Sequence, residues 1–335
     1  MEKTYRIEKC DSKVQWDEFI LANNGHPLQL WGWGDLKAGY NWQVERFFVV
    51  EDDDSIGAVQ LLIRTLPKPF APLLYVPRGP VIVSNDHAAA VYEQLIAYVK
   101  RAHKAVAITV EPDSDQPPVG EEWRESSNSI LLAETVVISL DRADGSILAE
   151  MSPDTRSHIR QAAGNNLTIK KLGNPDDITA CLDIYKQTAQ REGFSLHKDQ
   201  YYYDLHDKMG DHSVIFGCFD DGNSLVAFVW LVVTESVAFE LYDGVSQRGQ
   251  ELSAEYAVKW EAIRRIKQWG VSRYDLNGLL GGEHNAFKSG FAPQTYRSAG
   301  TFDWKLSPAY GLWYRLLRIR SRLRSKKHRR DDTIS

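Results

Sequence analysis

The chain has 335 residues, of which 43% are hydrophobic and 25% are charged, with a formal net charge of -5. This length predicts two domains of ordinary size, and the composition excludes a disordered or fibrous protein. Three scattered cysteines, a polar N-terminus and the lack of a long apolar run argue against a disulfide framework, an exported protein and an embedded one. We therefore expect a cytoplasmic protein.

The first half of the chain predicts a hairpin, a strand, a helix and a strand. Residues 46–62, "RFFVVEDDDSIGAVQLL", place two apolar runs around an acidic turn, which is typical of an antiparallel hairpin. The strand-like "LLYVPRGPVIV" follows, and then "SNDHAAAVYEQLIAYVKRAH", whose aliphatic residues recur every four positions as in a helix. Asn85 or Asp86 is placed to cap this helix. The next strand is "AVAITVEP".

The second half opens with the helix "SPDTRSHIRQA", capped by Ser152 or Asp154, and then repeats the same order. Residues 215–231, "IFGCFDDGNSLVAFVWL", match residues 46–62 and predict a second hairpin. The strand "VAFELYDGVS" follows, then the helix "SAEYAVKWEAIRRIKQWG", which Gly270 ends, and the strand "SRYDLNG". One apolar face is predicted for this last helix, formed by Tyr256, Trp260, Ile263 and Ile266.

The repeated order predicts two α/β domains of one type, each a mixed sheet flanked by helices. We place them at residues 1–150 and 151–310, followed by a basic segment at 311–335. The order resembles the acyl-CoA N-acyltransferase (GNAT) fold used twice in tandem. In that fold a loop of the form Gln/Arg-x-x-Gly-x-Gly/Ala grips the pyrophosphate of CoA. The corresponding "QRGQELSAEYA" lacks the later glycines, so CoA binding is disfavoured.

Arginine and lysine crowd residues 315–330. Such a segment attracts polyanions, and it is equally consistent with a solvated terminal helix. Contact with tRNA or with anionic lipid at the inner membrane face is the functional alternative. Arg318 and Arg322 are candidate contacts in this segment.

Six motifs in one order resemble the FemX/FemA/FemB/MurM family of peptidoglycan bridge aminoacyltransferases, over residues 28–310. The motifs are "LWGWGDLKAGYNWQ", "VPRGPVI", "SPDTRSHIRQA", "LYDGVS", "AEYAVKWEAI" and "YDLNGLLGG" with "AFKSGF". The resemblance implies transfer of an amino acid from aminoacyl-tRNA to the side-chain amine of the third stem-peptide residue of UDP-MurNAc-pentapeptide or lipid II. The chain lacks the coiled-coil insertion of larger members and is more similar to compact FemX-type members. No second histidine or carboxylate lies at a zinc-like spacing around His158 or His197, so we expect no metal. We also expect no cofactor and a monomer.

The resemblance also implies roles for single residues. Lys288 is the candidate for the cation that stabilises the tetrahedral oxyanion, and Phe287 and Phe291 would exclude water from it. Tyr242 lies in a motif that lines the substrate channel. No dedicated general base stands out, and Glu111 is a minor candidate.

The remaining candidates would bind substrate or phosphate. Those implied to hold the precursor or line its channel are Lys37, Lys198, Tyr202, Tyr256, Trp33 and Arg78. Arg156 and Arg160 lie four residues apart on one predicted helix and are candidates for phosphate contact, with salt bridging as the structural alternative. The rival functions are an acyl-CoA-dependent N-acyltransferase of the same fold and a non-catalytic RNA- or precursor-binding protein.

Overall fold

The structure, a computed structural model, describes residues 3–279 and 282–319. The strands of these residues are, in chain order, β1 (Tyr5–Lys9), β2 (Gln43–Glu51), β3 (Asp54–Arg64), β4 (Leu73–Pro77), β5 (Val81–Ile82), β6 (Ala107–Glu111), β7 (Arg124–Glu125), β8 (Glu134–Ser139), β9 (Thr168–Leu172), β10 (Ser213–Phe219), β11 (Leu225–Val233), β12 (Val237–Val245), β13 (Arg273–Asp275), β14 (Thr295–Arg297) and β15 (Phe302–Lys305). The helices are α1 (Lys13–Ala22), α2 (Trp31–Ala38), α3 (Ala88–Ala102), α4 (Asp144–Glu150), α5 (Pro153–Ala163), α6 (Pro175–Glu192), α7 (Asp199–Met209), α8 (Gln247–Glu251), α9 (Ala254–Gln268) and α10 (Gly282–Ser289). Residues 310–319 are also helical.

Contacts between residues divide the chain into two units with boundaries other than those predicted. As far as they are described, the first unit comprises Met1–Gln15, Lys37–Ala133 and Ser298–Ser335, and the second comprises Trp16–Leu36 and Glu134–Arg297. The prediction gave each domain one continuous segment. Strand β15 instead pairs with β6 and β7, and β8 pairs with β13 and β14.

The first unit is built on a mixed sheet with the order β1-β2-β3-β4-β6-β15-β7, in which β5 also pairs with β3. The predicted hairpin is the antiparallel pair β2 and β3, and β4 and β6 are parallel. The predicted strand at residues 73–83 is broken because Arg78 has a φ of +46°, which leaves β4 and β5 as separate strands. Capping of the following helix by Asn85 or Asp86 is wrong, since both residues lie inside a 3-10 turn, Asn85–His87, that precedes α3.

The second unit is built on a sheet with the order β14-β8-β13-β12-β11-β10-β9. The second predicted hairpin is the antiparallel pair β10 and β11. Ser152 caps α5 by accepting a hydrogen bond from the amide of Thr155, and α9 ends two residues before Gly270, which has a φ of +88°. The predicted apolar face of α9 is only partly correct, because Tyr256 and Trp260 are half-buried.

Strands β12 and β13 run side by side only briefly. Their parallel pairing covers residues 237–239 and 273–275, and the second half of β12 keeps only β11 as a partner. The register between β11 and β12 also shifts after Trp230. Side chains of β12 beyond Phe239 therefore lie where the sheet has opened.

Two further findings concern the described residues. Cys10, Cys181 and Cys218 are buried and carry no disulfide. Within residues 3–279 and 282–319, no helix has both the length and the apolar character needed to cross a bilayer.

Candidate active site

A buried ion cluster lies where β12 leaves β13. Lys259 of α9 donates from Nζ to Oε1 of Glu240 at 2.5 Å and to Oδ2 of Asp243 at 3.2 Å. The hydroxyl of Tyr274 donates to the other oxygen of Glu240 at 3.0 Å. Burial alone would lower the pKa of Lys259, but Glu240 and Asp243 raise it above its ordinary value, so the ammonium stays charged.

An aromatic wall borders this cluster. Nζ of Lys259 lies 5.0 Å from the ring centre of Phe287 and 5.8 Å from that of Phe291. The edge of Phe287 meets Tyr256 at 4.9 Å, and His158 stacks on the other side of Tyr256 at 4.4 Å. Cation–π contact adds to the stability of a desolvated ammonium. Lys259 and Glu240 are buried beside this wall, whereas Asp243 is partly exposed.

A cavity of about 230 Å³ lies against the cluster and the wall. It is bordered by α6, β11, β12, α8, α9 and α10, and its polar lining includes Thr188, Arg191, Asp243, Glu255, Tyr256 and Lys259. Sites for whole drug-sized ligands enclose roughly 300–1,000 Å³. This cavity is therefore smaller than such sites and of a size for a small polar group.

Glu255, in the first turn of α9, brings a second carboxylate to this cavity. Its Oε2 is buried and has no hydrogen-bond partner among the described residues. Burial raises the pKa of Glu255 to about 7, against the opposing effect of Arg191 and Lys259 and with support from Asp243. The carboxyl is therefore placed to gain and lose a proton near neutral pH.

Lys288 is buried on α10, next to the aromatic wall. Its Nζ donates to the carbonyl oxygens of Leu276 and Asn277, both at 2.6 Å, and of Gly278 at 3.3 Å. Burial lowers the pKa of Lys288, while Asp243 and Glu240 oppose the shift. All three N–H groups of its ammonium are thus directed at the main chain that follows β13.

Tyr242 and Tyr202 belong to a neighbouring aromatic cluster in the second unit. The ring of Tyr242 lies 5.1 Å from Tyr202 and 5.4 Å from Tyr185, and burial raises the pKa of Tyr242 well above its ordinary value. Tyr202 is buried, and its hydroxyl accepts a hydrogen bond from the amide of His197 at 3.2 Å. Lys198, just before α7, is exposed.

The basic candidates for phosphate contact differ in their surroundings. Arg156 donates to the carbonyl oxygens of Ala149 and Met151, at 3.0 and 2.5 Å, and so joins α5 to the end of α4. Arg160 and Arg318 are exposed. Arg322 lies outside the described residues.

Three predicted precursor-binding residues lie outside the cavity described above, namely Lys37, Trp33 and Arg78. Burial, together with the charge of Arg64, lowers the pKa of Lys37 to about 8. Trp33 is buried on α2. Arg78 is buried in the first unit, where its Nη2 reaches the carbonyl oxygen of Leu132 at 3.4 Å.

Glu111, the minor candidate for a base, serves the first unit as an acceptor. Its Oε1 receives hydrogen bonds from the amides of Ile130 and Leu131, at 2.8 and 3.0 Å, and from Thr301 at 2.7 Å. Tyr75 donates to its other oxygen. Both oxygens therefore stabilise the fold.

The loop that corresponds to the CoA pyrophosphate loop is packed against the sheet. A Cβ on Gly249 of α8 would lie 2.3 Å from the carbonyl oxygen of Val226, so a glycine is needed there for close approach to β11. The carboxyl of Glu255 stands in the first turn of the next helix, where a phosphate would have to bind. Neither feature suits an anionic pyrophosphate.

Of the residues that the sequence predicted, Phe287 and Tyr256 line the cavity, whereas Lys288, next to Phe287 on α10, is not among its lining residues. The sequence analysis missed Glu240, Lys259 and Glu255. One signal was present in the sequence. Glu255 and Lys259 stand four residues apart and therefore lie on one face of α9, in the motif that was predicted to line the substrate channel. In the part of the chain that the structure describes, no cluster of three or more His, Cys, Asp or Glu is arranged to bind a metal ion.

Known proteins resemble this chain in sequence and in fold. The sequence model of the FemAB family matches residues 12–127, 125–216 and 219–318. A lipid II:glycine glycyltransferase of Staphylococcus aureus strain MRSA252 is 26% identical over 262 residues, which are 73% of this chain and 58% of that protein. The chain thus spans less than two thirds of the curated relatives it matches.

Two solved structures show the fold. The crystal structure of FemX aligns with a TM-score of 0.81 at 19% identity, over 94% of this chain and 99% of that one. A tandem GNAT protein from the clavulanic acid biosynthesis pathway aligns with a TM-score of 0.54 at 16% identity, over 91% and 99% of the two chains. The predicted fold class, two GNAT-like domains in tandem, is confirmed.

Proposed function

Because the chain belongs to the FemAB family, as its motifs predicted, we propose that it is an aminoacyltransferase that starts a peptidoglycan interpeptide bridge. The donor is an aminoacyl-tRNA, and the acceptor is the side-chain amine of the third stem-peptide residue in UDP-MurNAc-pentapeptide or lipid II. The observation that carries this proposal is the small cavity beside Phe287 and Lys259, which has the size of an aminoacyl group. The similarity to lipid II:glycine glycyltransferases favours a lipid-linked acceptor and a small amino acid.

The aminoacyl ester is already activated, so the enzyme needs to align the amine and stabilise the oxyanion that forms on attack. Lys288 is the cation that we assign to this task, and Phe287 keeps water from the ester. The carbonyl oxygen of Gly278, at 3.3 Å, is the most distant of the three acceptors of Lys288. We infer that the oxyanion replaces this acceptor in the transition state. Tyr256, which packs against Phe287, lines the approach to the same centre, and Tyr242 is assigned a role in the reaction from the neighbouring aromatic cluster.

Lys37 is the residue to which we assign precursor binding, and Arg78 and Trp33 are separate candidates for contact with the precursor. Burial and Arg64 lower the pKa of Lys37 to about 8, and a diphosphate would supply the negative charge that restores the ammonium. Lys198 and Tyr202 are further candidates for contact with the precursor. Arg160 is the exposed member of the arginine pair on α5, and it is a better candidate for tRNA phosphate than Arg156.

Acyl-CoA is the less favoured donor. The carboxyl of Glu255 and the packed Gly249 stand at the position of the pyrophosphate loop, and a buried carboxyl repels phosphate.

To test this, the purified protein is incubated with seryl-, alanyl- or glycyl-tRNA that carries a labelled amino acid. The acceptor in each reaction is either UDP-MurNAc-pentapeptide or lipid II. A parallel arm replaces the charged tRNA by acetyl-CoA. Label in either precursor from charged tRNA supports the proposal, and the two acceptors and three donors identify the substrates. Label from acetyl-CoA alone would establish the rival N-acyltransferase, and binding of tRNA or precursor without transfer would establish a non-catalytic protein.

We also propose that the chain acts at the inner membrane face, through the helix at residues 310–319. Leu312, Leu316 and Ile319 are exposed and recur at a helical spacing, so they form one apolar face. The buried Trp313 packs on the first unit, and Arg315 is exposed beside the apolar face. Apolar residues flanked by cations suit anionic lipid, whereas tRNA gives exposed leucines no such gain.

Flotation with vesicles of phosphatidylglycerol and phosphatidylcholine tests this proposal. Replacement of Leu312, Leu316 and Ile319 by serine should abolish flotation. Replacement of three exposed valines elsewhere by serine, Val14, Val83 and Val119, should leave flotation intact. If the first set keeps its flotation and loses tRNA retention on a filter, the helix binds tRNA instead.

A further inference from the structure

The second unit holds a carboxylate oxygen that the fold leaves unsatisfied. Oε2 of Glu255 is buried and accepts no hydrogen bond from any described residue. A buried acceptor without a donor is unfavourable, and this one lies beside a cavity. A donor from a bound substrate would satisfy it.

The charged groups around Glu255 come from several elements. Arg191 and Glu192 of α6 and Asp243 of β12 line the same cavity, and Lys259 lies one turn along α9. Cys218 of β10 faces Glu255, whose charge together with burial raises the pKa of the thiol.

The other carboxylates are already paired. Lys259 binds both Glu240 and Asp243, and Tyr274 also donates to Glu240. The oxygens of Glu240 and Asp243 that face Lys259 are occupied by its ammonium, whose charge favours the charged form of both carboxylates. Burial raises the pKa of Glu240 as well as that of Glu255, the latter to about 7, but among these three carboxylates only Glu255 has a buried oxygen without a hydrogen-bond partner. General bases work best when their pKa lies near the working pH.

We propose that Glu255 is the general base of the transfer reaction, a step that rests on the function proposed above. The neutral acceptor amine attacks the ester carbonyl carbon, which forms the C–N bond and a tetrahedral oxyanion. Glu255 takes one proton from the attached nitrogen. As the carbonyl re-forms and the bond to the ribose oxygen breaks, that proton passes to the leaving oxygen. The products are the amide and deacylated tRNA, and the carboxylate is regenerated.

The test compares wild type with Glu255→Gln, which keeps the shape of the side chain and removes its basicity. Removal of a general base typically lowers turnover by about two to four orders of magnitude. We expect a fall of at least 100-fold in kcat with little change in KM for either substrate. The wild-type rate should fall as the pH drops through about 7, and the variant should lack this limb.

The controls separate fold from chemistry. Glu251→Gln changes an exposed carboxylate at the end of α8, four residues before Glu255, and should leave the rate unchanged. Glu255→Asp keeps a carboxyl and should recover part of the activity and the acid limb. A thermal melt confirms that each variant is folded.

Three outcomes have distinct meanings. If wild type transfers no amino acid at all, the proposed function fails. If wild type transfers and Glu255→Gln equals it at every pH, the general base is not Glu255. If the variant raises KM for the aminoacyl donor while kcat stays constant, Glu255 binds the donor ammonium and the proposal is overturned.

Discussion

The ammonium of Lys259 lies 2.5 Å from a carboxylate oxygen of Glu240, with side chains 1% and 2% exposed. Such a pair is not in itself a source of stability, since desolvation of two ions offsets most of their attraction. Here Asp243 and Tyr274 satisfy further hydrogen-bonding positions of the pair. The pair occupies the opening between β12 and β13, where a ladder of hydrogen bonds would otherwise continue.

Removal of one partner of this pair should destabilise the second unit strongly. We expect Lys259→Met to lower the free energy of unfolding by about 3–5 kcal/mol, because Glu240 is left charged in a buried site. The double variant with Glu240→Gln should recover part of that loss. Urea unfolding followed by circular dichroism measures both. If the free energy of unfolding of the double variant falls by the sum of the losses in Lys259→Met and Glu240→Gln alone, the two residues are not coupled.

Lys288→Met should reduce turnover by about two to three orders of magnitude while precursor binding stays nearly constant, since it removes an oxyanion-stabilising cation. Lys186→Met, at an exposed lysine of α6, is the matched control. Single-turnover kinetics and a binding isotherm for the precursor measure the two effects. Loss of binding together with turnover would move Lys288 from catalysis to substrate capture.

Glu255 should make stability depend on pH in a defined direction. Its pKa is raised from 4.5 to about 7 in the folded chain, so the folded state holds a proton that the unfolded state has released. Binding of this proton stabilises the folded state, and the stabilisation is fully present below pH 4.5 and is lost as the pH rises to about 7. The free energy of unfolding falls by at most about 3 kcal/mol over this range. Melting temperatures of wild type and Glu255→Gln should therefore diverge over this range, with wild type the less stable at pH 8. Parallel curves would contradict the buried carboxyl.

Gly249→Ala tests whether the degenerate loop is a packing element. A Cβ there would meet the carbonyl oxygen of Val226 at 2.3 Å, so we expect a loss of about 1–3 kcal/mol from overpacking. Gly145→Ala on α4 has open space around it and should be neutral or slightly stabilising, because alanine favours helix. Denaturant unfolding of both variants provides the comparison. Equal stability of the two would place α8 farther from β11.

Local patterns were sufficient for most elements of the fold. Both hairpins and the strands after them followed from apolar runs and acidic turns, which are properties of neighbouring residues. The break at Arg78 and the 3-10 turn at Asn85–His87 depend on backbone angles that the residue types do not dictate. The domain boundaries differ because β15 pairs with β6 nearly 200 positions earlier in the chain, and no local pattern reports such pairing.

The residues of the candidate site also differ in whether the sequence alone could predict them. The family motifs identified Lys288, Phe287 and Tyr256 because these residues lie within short recognisable segments. Glu240 looks like an isolated charge in an apolar strand, and only the fold reveals that Lys259 reaches it from α9. Whether a carboxyl is paired or left alone, as Oε2 of Glu255 is, depends on three-dimensional neighbours and sets its chemistry.

The pairing of β15 with β6 and β7 also constrains the order of events during synthesis. The ribosome completes residues 134–297, which supply most of the second unit, before β15 emerges. Until then β6 has an unpaired edge, which is a template for aggregation. The second unit can therefore fold first, and the first sheet closes only after residues 302–305 have been made.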